Sequence, residues 1–191
     1  MTGMMQQTGE PRGALTLPSY LAPEPRLVFV SMNPGIDSDQ VGCYFASPRN
    51  RFWRALNLVR LVQWEVGPEN DHLLPEKGIS FTDVLKRPTS IAGDLNSEDF
   101  RASVPLLKKK LSCFQPKVVS FHEVTTYGNY FRYGDGVLER PGMGMQPLSM
   151  GRSQVFAVPN HGTLNASVSL EELASWYIQL QSLVEIGIGN G

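Results

Sequence analysis

Leu27-Val28-Phe29-Val30-Ser31-Met32-Asn33-Pro34-Gly35 is an apolar run that closes in a polar residue and a Pro-Gly turn. Consecutive apolar residues without alternation mark a strand covered on both faces, as parallel sheets require. Open α/β folds bind their ligands at the carboxyl edge of such strands, which makes Asn33 the first residue to suspect of function. Two other runs share the pattern. Val118-Val119-Ser120-Phe121 is a second core strand, and Val155-Phe156-Ala157-Val158 is a third that also ends in a polar loop, Pro159-Asn160-His161-Gly162. Gly78-Ile79-Ser80-Phe81-Thr82-Asp83-Val84 is a shorter apolar passage leading into the loop Arg87-Pro88-Thr89.

Helical patterns alternate with these runs. Ser47 caps a predicted helix with Pro48 at its first position, spaced by Phe52, Leu56 and Val59 with either Leu58 or Val62, and reaching about Val62. Asn96 followed by Asp99 opens another, carried on by Leu106, Leu107 and Leu111, and Pro105 predicts a kink or a later start. Ser169-Leu170-Glu171-Glu172 is a capping box for a last helix with Leu170, Leu173, Tyr177, Leu180 and Val184 on one face. Trp64 to Lys77 reads as loop, and Gly134 to Gly151 as irregular. The alternation predicts an α/β three-layer sandwich, a mostly parallel central sheet with helices on both faces. Residues 1–25 read as a partly ordered lead-in, 26–186 as a single domain and 187–191 as a flexible tail.

With 191 residues and 41% hydrophobic content, the chain suits one well-packed domain. Lysine and arginine number 17 against 18 aspartate and glutamate, so a net charge of −1 gives no global pull toward nucleic acid or membrane. Any DNA-binding surface must be local. Cys43 and Cys113 stand apart from each other and from any residue at ligand spacing, which speaks against metal or iron–sulfur chemistry and suits a reducing compartment. No apolar run approaches the roughly 20 residues of a membrane span. Met1 to Gly13 is polar rather than signal-like. The expectation is a monomer without cofactor or membrane, cytoplasmic and nucleoid-associated, or nuclear if its source has a nucleus.

Met32-Asn33-Pro34-Gly35-Ile36, Phe45-Ala46 and Asn50-Arg51-Phe52-Trp53 together carry a more specific likeness. They resemble the first motif of the mismatch-specific uracil-DNA glycosylase and thymine-DNA glycosylase family, within the uracil-DNA glycosylase superfamily, whose pattern reads Gly-Ile-Asn-Pro-Gly-Leu, a spacer, Pro-Phe-Ala and Asn-Arg-Phe-Trp. The likeness extends through Lys86-Arg87-Pro88-Thr89 and Gln115-Pro116 to Val158-Pro159-Asn160, covering roughly residues 27 to 180. The family's second motif, Asn-Pro-Ser-Gly-Leu-Ser-Arg in bacterial relatives, is matched at Asn160 and Leu164 but not at His161, Thr163 or Ala166, and one extra residue falls near Ser167. Ser31 stands where the family has glycine. These departures point to an outlying branch, and the missing arginine leaves open how the strand opposite the lesion is read.

The resemblance implies a glycosylase acting on double-stranded DNA that contains uracil or a mismatch, with single-stranded DNA a further candidate. The bond between base and sugar is out of reach inside a duplex, so the nucleotide must be flipped into a pocket. In that reading Phe45 stacks the base, and Met32, Ser38 and Asn160 line its pocket. Asn33 orients the attacking water through hydrogen bonds, since an amide is no strong base; its plainer use is to close an Asn-Pro-Gly turn. His161 is a candidate for stabilising the leaving base, and Leu164 for the wedge that fills the vacated stack. Asp94, before the Asn96 helix, is a candidate general base, and a solvated aspartate is the alternative.

Arg49, Thr163 and Ser120 are candidates for the DNA backbone, as are Arg51, Arg54, Arg60 and the run Lys108-Lys109-Lys110, with a structural role the alternative for Arg51 and a solvated face the alternative for the lysine run. No lysine lies in either motif, so the expected reaction is hydrolysis to an abasic site without a lyase step. Two rivals remain: a non-catalytic DNA- or nucleotide-binding module on the same fold, and hydrolysis of free nucleosides.

Overall fold

The structure, a computed structural model, describes residues 17–90, 94–138, 141–162 and 168–186. Five strands form one sheet: β1 (Leu27–Ser31), β2 (Ile79–Asp83), β3 (Val118–His122), β4 (Gly144–Met145) and β5 (Gln154–Val158). Their spatial order is β2-β1-β3-β5-β4, and the first four run parallel while β4 is antiparallel to β5. The helices are α1 (Ile36–Val41), α2 (Phe52–Leu58), α3 (Ser97–Phe114), α4 (Val124–Asp135) and α5 (Leu170–Ile186), with tight helical turns over Pro68–Lys77.

Alternation along the strands divides the core in two. Leu27, Phe29, Phe81, Phe156 and Val158 point to one face and pack with Phe52, Leu56, Leu173, Tyr177 and Leu180 of α2 and α5. Val28, Val30, Val119, Phe121 and Val155 point to the other and pack with Val104, Leu107 and Leu111 of α3 and Tyr127, Tyr130 and Phe131 of α4. The sheet is thus covered on both sides, which is why its strands read as continuous apolar runs.

Several local expectations are corrected. Ser47 caps no helix: α2 begins at Phe52, whose N–H donates to Asn50 Oδ1 at 2.9 Å, and it ends at Leu58. The stretch after the Pro-Gly turn forms α1, closed by Gly42 in the left-handed conformation (φ 76°) that glycine adopts without penalty. Helix α3 starts as expected, with Asn96 and Asp99 in a reciprocal cap, and runs as one element across Pro105. The irregular reading of Gly134–Gly151 omits β4, and α4 was not anticipated. Residues before Arg26 also join the fold: Leu17 is buried, and Tyr20 bridges to Phe81. Ser169 Oγ accepts from Glu172 N at 3.0 Å, as a capping serine should.

Candidate active site

The carboxyl ends of β1, β2, β3 and β5 bring the loop-borne groups together. Asn33 lies two residues beyond the end of β1, and its amide nitrogen donates to three oxygens: Pro34 O at 3.1 Å, Arg87 O at 3.1 Å and Thr89 Oγ1 at 2.8 Å. Rotating the amide would set its oxygen against two carbonyls, so the orientation is fixed. The nitrogen is spent on the protein. The carbonyl oxygen is left as the atom that can accept from water.

Asp94 is linked to Asn33 only through Arg87. Arg87, whose carbonyl receives Asn33, donates from Nη2 to Asp94 O at 2.8 Å and to Asp99 Oδ2 at 2.7 Å. The Asp94 side chain itself is exposed.

Phe45 is 8% exposed and sits at φ 54°, a left-handed conformation that costs a bulky residue energy and persists where surroundings over-determine it. Ser38 supplies part of that support: its buried hydroxyl accepts from Ala46 N at 3.1 Å. The Phe45 ring meets Phe52 at 4.3 Å, His161 at 4.5 Å and His122 at 5.0 Å between centroids. Met32 does not join it. Its half-buried side chain packs with the α3/α4 core and receives Asn129 Nδ2 at 3.9 Å on sulfur, so the assignment of Met32 to the base pocket is corrected.

The second loop is tied to the first motif by Arg51. Its guanidinium donates to the carbonyls of Asn160, His161, Gly162 and Val168, and its backbone N–H donates to His161 O at 3.3 Å. Arg51 is a clamp between the two loops, not a phosphate ligand. Asn160 Nδ2 donates to Glu123 Oε2 at 3.0 Å, and its Oδ1 accepts from Gly162 N at 2.7 Å. Glu123 is itself strained at φ 81°, and burial pushes its carboxyl pKa up against the hydrogen bonds from Thr125 and Asn160.

His161 is 6% exposed, and His122, at the end of β3, is 4% exposed. Their rings join through His161 Nε2 and His122 Nδ1 at 2.8 Å, while His122 Nε2 lies 3.5 Å from Tyr177 Oη. Burial, reinforced by the Arg51 guanidinium, brings the His161 pKa down to about 3; burial and then His161 hold His122 well below the ordinary histidine value. Both rings are neutral at physiological pH. The expectation of an imidazole in this loop therefore narrows to a neutral one, and His122 joins the candidate site as a residue that sequence reasoning missed.

Ser120 is corrected outright as a DNA contact. It lies mid-strand on β3 at 0% exposure, under α2 and α5, where no phosphate can reach it. Arg49, Arg54 and Arg60 are exposed near α2. Lys108 pairs with Asp135, and Lys110 donates to Ser19 Oγ at 3.1 Å, so the lysine run is partly engaged within the protein. Thr163 and Leu164 lie outside the described residues. Among the described residues no group of three or more His, Cys, Asp or Glu side chains is placed to hold a metal, and no helix is long and apolar enough to cross a membrane.

Ser31, the departure from the family's glycine, has a local reason. Its hydroxyl donates to Asp83 Oδ1 at 2.5 Å, across the β1–β2 register that sets the two residues opposite each other. Asp83 Oδ2 also receives Lys86 Nζ and Tyr44 Oη, each at 3.1 Å, so the buried carboxylate is paired.

A 36% identical stretch of 107 residues, 55% of this chain, aligns with a G/U mismatch-specific uracil DNA glycosylase of Schizosaccharomyces pombe and spans 33% of that protein's length. A solution NMR structure from Methanosarcina acetivorans, described as a candidate uracil DNA glycosylase, superposes with a TM-score of 0.60 at 17% identity, over 89% of this chain and 98% of that one, which establishes a shared fold. The family model of the uracil DNA glycosylase superfamily matches residues 18–178, from the bridge that Tyr20 makes to the sheet through both loops and into α5, and the chain belongs to that superfamily.

Proposed function

We propose that this protein is a monofunctional DNA glycosylase of base excision repair, hydrolysing the N-glycosidic bond of a flipped uracil, as in a G:U mismatch, to leave an abasic site. The observation that carries the reading is the trapped amide of Asn33. With its nitrogen bound to Pro34, Arg87 and Thr89, its oxygen is a fixed acceptor at the carboxyl edge of β1, suited to orienting a water toward the sugar. Phe45 then supplies the stacking surface, and His161 a neutral ring against which negative charge on the departing base can be stabilised. Departure of the base drives the reaction, and the water held by Asn33 captures the sugar.

The test is alkali-dependent strand cleavage of labelled duplexes carrying uracil opposite guanine or adenine, and of the single strand, by wild type, Asn33→Ala and Asp94→Ala. Wild type should generate alkali-labile sites with no cleavage before alkali, Asn33→Ala should lose them while still binding, and Asp94→Ala should retain them. If Asp94→Ala instead loses chemistry while binding, water handling belongs to Asp94. A wild type that binds and releases nothing would favour the binding module.

A further inference from the structure

Glu123 carries two burdens that folding alone would not keep. It stands between β3 and α4 at φ 81° and ψ 135°, a backbone region that glycine occupies and a Cβ disfavours. Its carboxyl is half-buried, and burial raises its pKa against the hydrogen bonds it receives. Glycine at this position would remove both the strain and the desolvated carboxyl.

What the residue does is hold the loop after β5 at two points. Glu123 N–H donates to Val158 O at 2.9 Å, which carries the β3–β5 ladder one step past His122. Its carboxylate accepts from Asn160 Nδ2 at 3.0 Å, and Oδ1 of the same amide accepts from Gly162 N at 2.7 Å. The Asn160 side chain thus joins Glu123 to the loop backbone two residues on. The amide sits only one way round, because turning it over would set its oxygen against the carboxylate and its NH2 against the Gly162 N–H. The turn is close: a Cβ on Gly162 would stand 2.9 Å from Asn160 Oδ1. Arg51 donates to the carbonyls of Asn160, His161 and Gly162, whereas Glu123 secures a backbone N–H of the same turn, so the two grips do not duplicate each other.

We propose that Glu123 is a positioning residue: acting through Asn160, its carboxylate fixes the loop after β5 in the conformation that the reaction uses, and the strained backbone is kept for that purpose at the expense of stability. Its place in base release rests on the glycosylase reading above; its grip on the loop does not. The grip needs an acceptor oxygen and no proton transfer, which separates positioning from acid–base chemistry. In E123Q the amide oxygen can still accept from Asn160 Nδ2, and Thr125 Oγ1, which donates to Glu123 Oε1 at 3.4 Å, can turn to accept from the new amide nitrogen. E123A and E123G both lose the grip, and only glycine also relieves the backbone.

Three measurements on the full chain test this. Hydrogen exchange of the Gly162 amide reads the grip without substrate: it should run at least about tenfold faster in E123G and E123A than in wild type, and within about threefold of wild type in E123Q. Urea unfolding reads the strain: E123G should unfold at higher urea than E123A, the reverse of the usual order of these two residues. Single-turnover uracil release reads the role in the reaction: E123G should be slower by about tenfold or more, and E123Q within about threefold of wild type.

A Gly162 amide as protected in E123G as in wild type overturns the grip, and E123A more stable than E123G overturns the strain. E123Q as slow as E123G would mean that the carboxylate acts on the substrate instead of through Asn160, and E123G at the wild-type rate would remove Glu123 from the reaction; either overturns the positioning role. A wild type that releases no base overturns the glycosylase reading, and Gly162 exchange then still decides whether Glu123 holds the loop.

Discussion

Replacing Asn33 by aspartate asks whether the site uses an amide because it needs a donor to the protein as well as an acceptor for water. The Nδ2 position lies 3.1 Å from two backbone carbonyl oxygens and 2.8 Å from a hydroxyl. A carboxylate oxygen there keeps only the hydroxyl, which can turn to donate, and faces the two carbonyls without a proton. Two hydrogen bonds at about 1 kcal/mol net each are lost, and the unsatisfied charge adds a comparable cost, for a total of about 2–4 kcal/mol at neutral pH. Protonation restores one bond, so repulsion of about 2–4 kcal/mol raises the introduced carboxyl by roughly 1.5–3 units. Asn33→Asp should therefore unfold at lower urea than wild type at pH 7.5, with the gap shrinking as pH falls toward 5.5, and should release uracil more slowly at pH 7.5 in spite of carrying the stronger base. An aspartate variant as stable as wild type at pH 7.5 would refute the reasoning, because the amide nitrogen would then not be committed as described.

Asp71 is a buried carboxylate that accepts from Tyr44 N at 2.6 Å, and burial pushes its pKa up to about 6. Unfolding lets it ionise from near 3.9. Its cost is therefore absent below about pH 4 and grows to about 3 kcal/mol above pH 6, so Asp71→Asn should raise the urea midpoint at pH 7.5 and do so less at pH 4.5. For His161 the sign is opposite: a pKa of about 3, far below the unfolded value of about 6.5, makes the unfolded state take up a proton first, removing about 2 kcal/mol between pH 7 and pH 5, and His122, also held well below the ordinary value by burial, acts in the same direction. H161F should flatten that part of the stability profile, and an unchanged profile would deny the ring's burial. Ser31→Gly removes the hydroxyl that Asp83 accepts while Lys86 and Tyr44 remain, and should cost about 2 kcal/mol in urea unfolding.

The strands that carry the site were legible because a sheet covered on both faces demands apolar residues on both parities, and β1, β3 and β5 supply them. Helices α3 and α5 announced themselves through caps at Asn96 and Ser169. Helix α4 did not: Val124, Thr125, Thr126, Gly128 and Gly134 are weak helix formers, and the burial of Tyr127, Tyr130 and Phe131 against the sheet outweighs their preference. Helix α1 is six residues long with one buried side chain, too short to show a period. Ser120 lies in a run that the sequence already marks as a core strand, and a sheet with helices on both sides leaves its hydroxyl no exposed face for a DNA contact. Asn33 and Phe45 could be read from motif spacing. His122 could not, since its partners are 39 and 55 residues away and only the β3–β5 pairing and α5 bring them together.

The most direct test is uracil release under enzyme excess from a duplex with one G:U pair, by wild type and Asn33→Ala, with affinity of both for the same duplex carrying an abasic-site analogue measured alongside. Loss of an oriented water acceptor should slow the chemical step by about 10²–10⁴ while affinity stays within threefold. Absence of release by wild type, or an Asn33→Ala rate equal to that of wild type, would contradict the account.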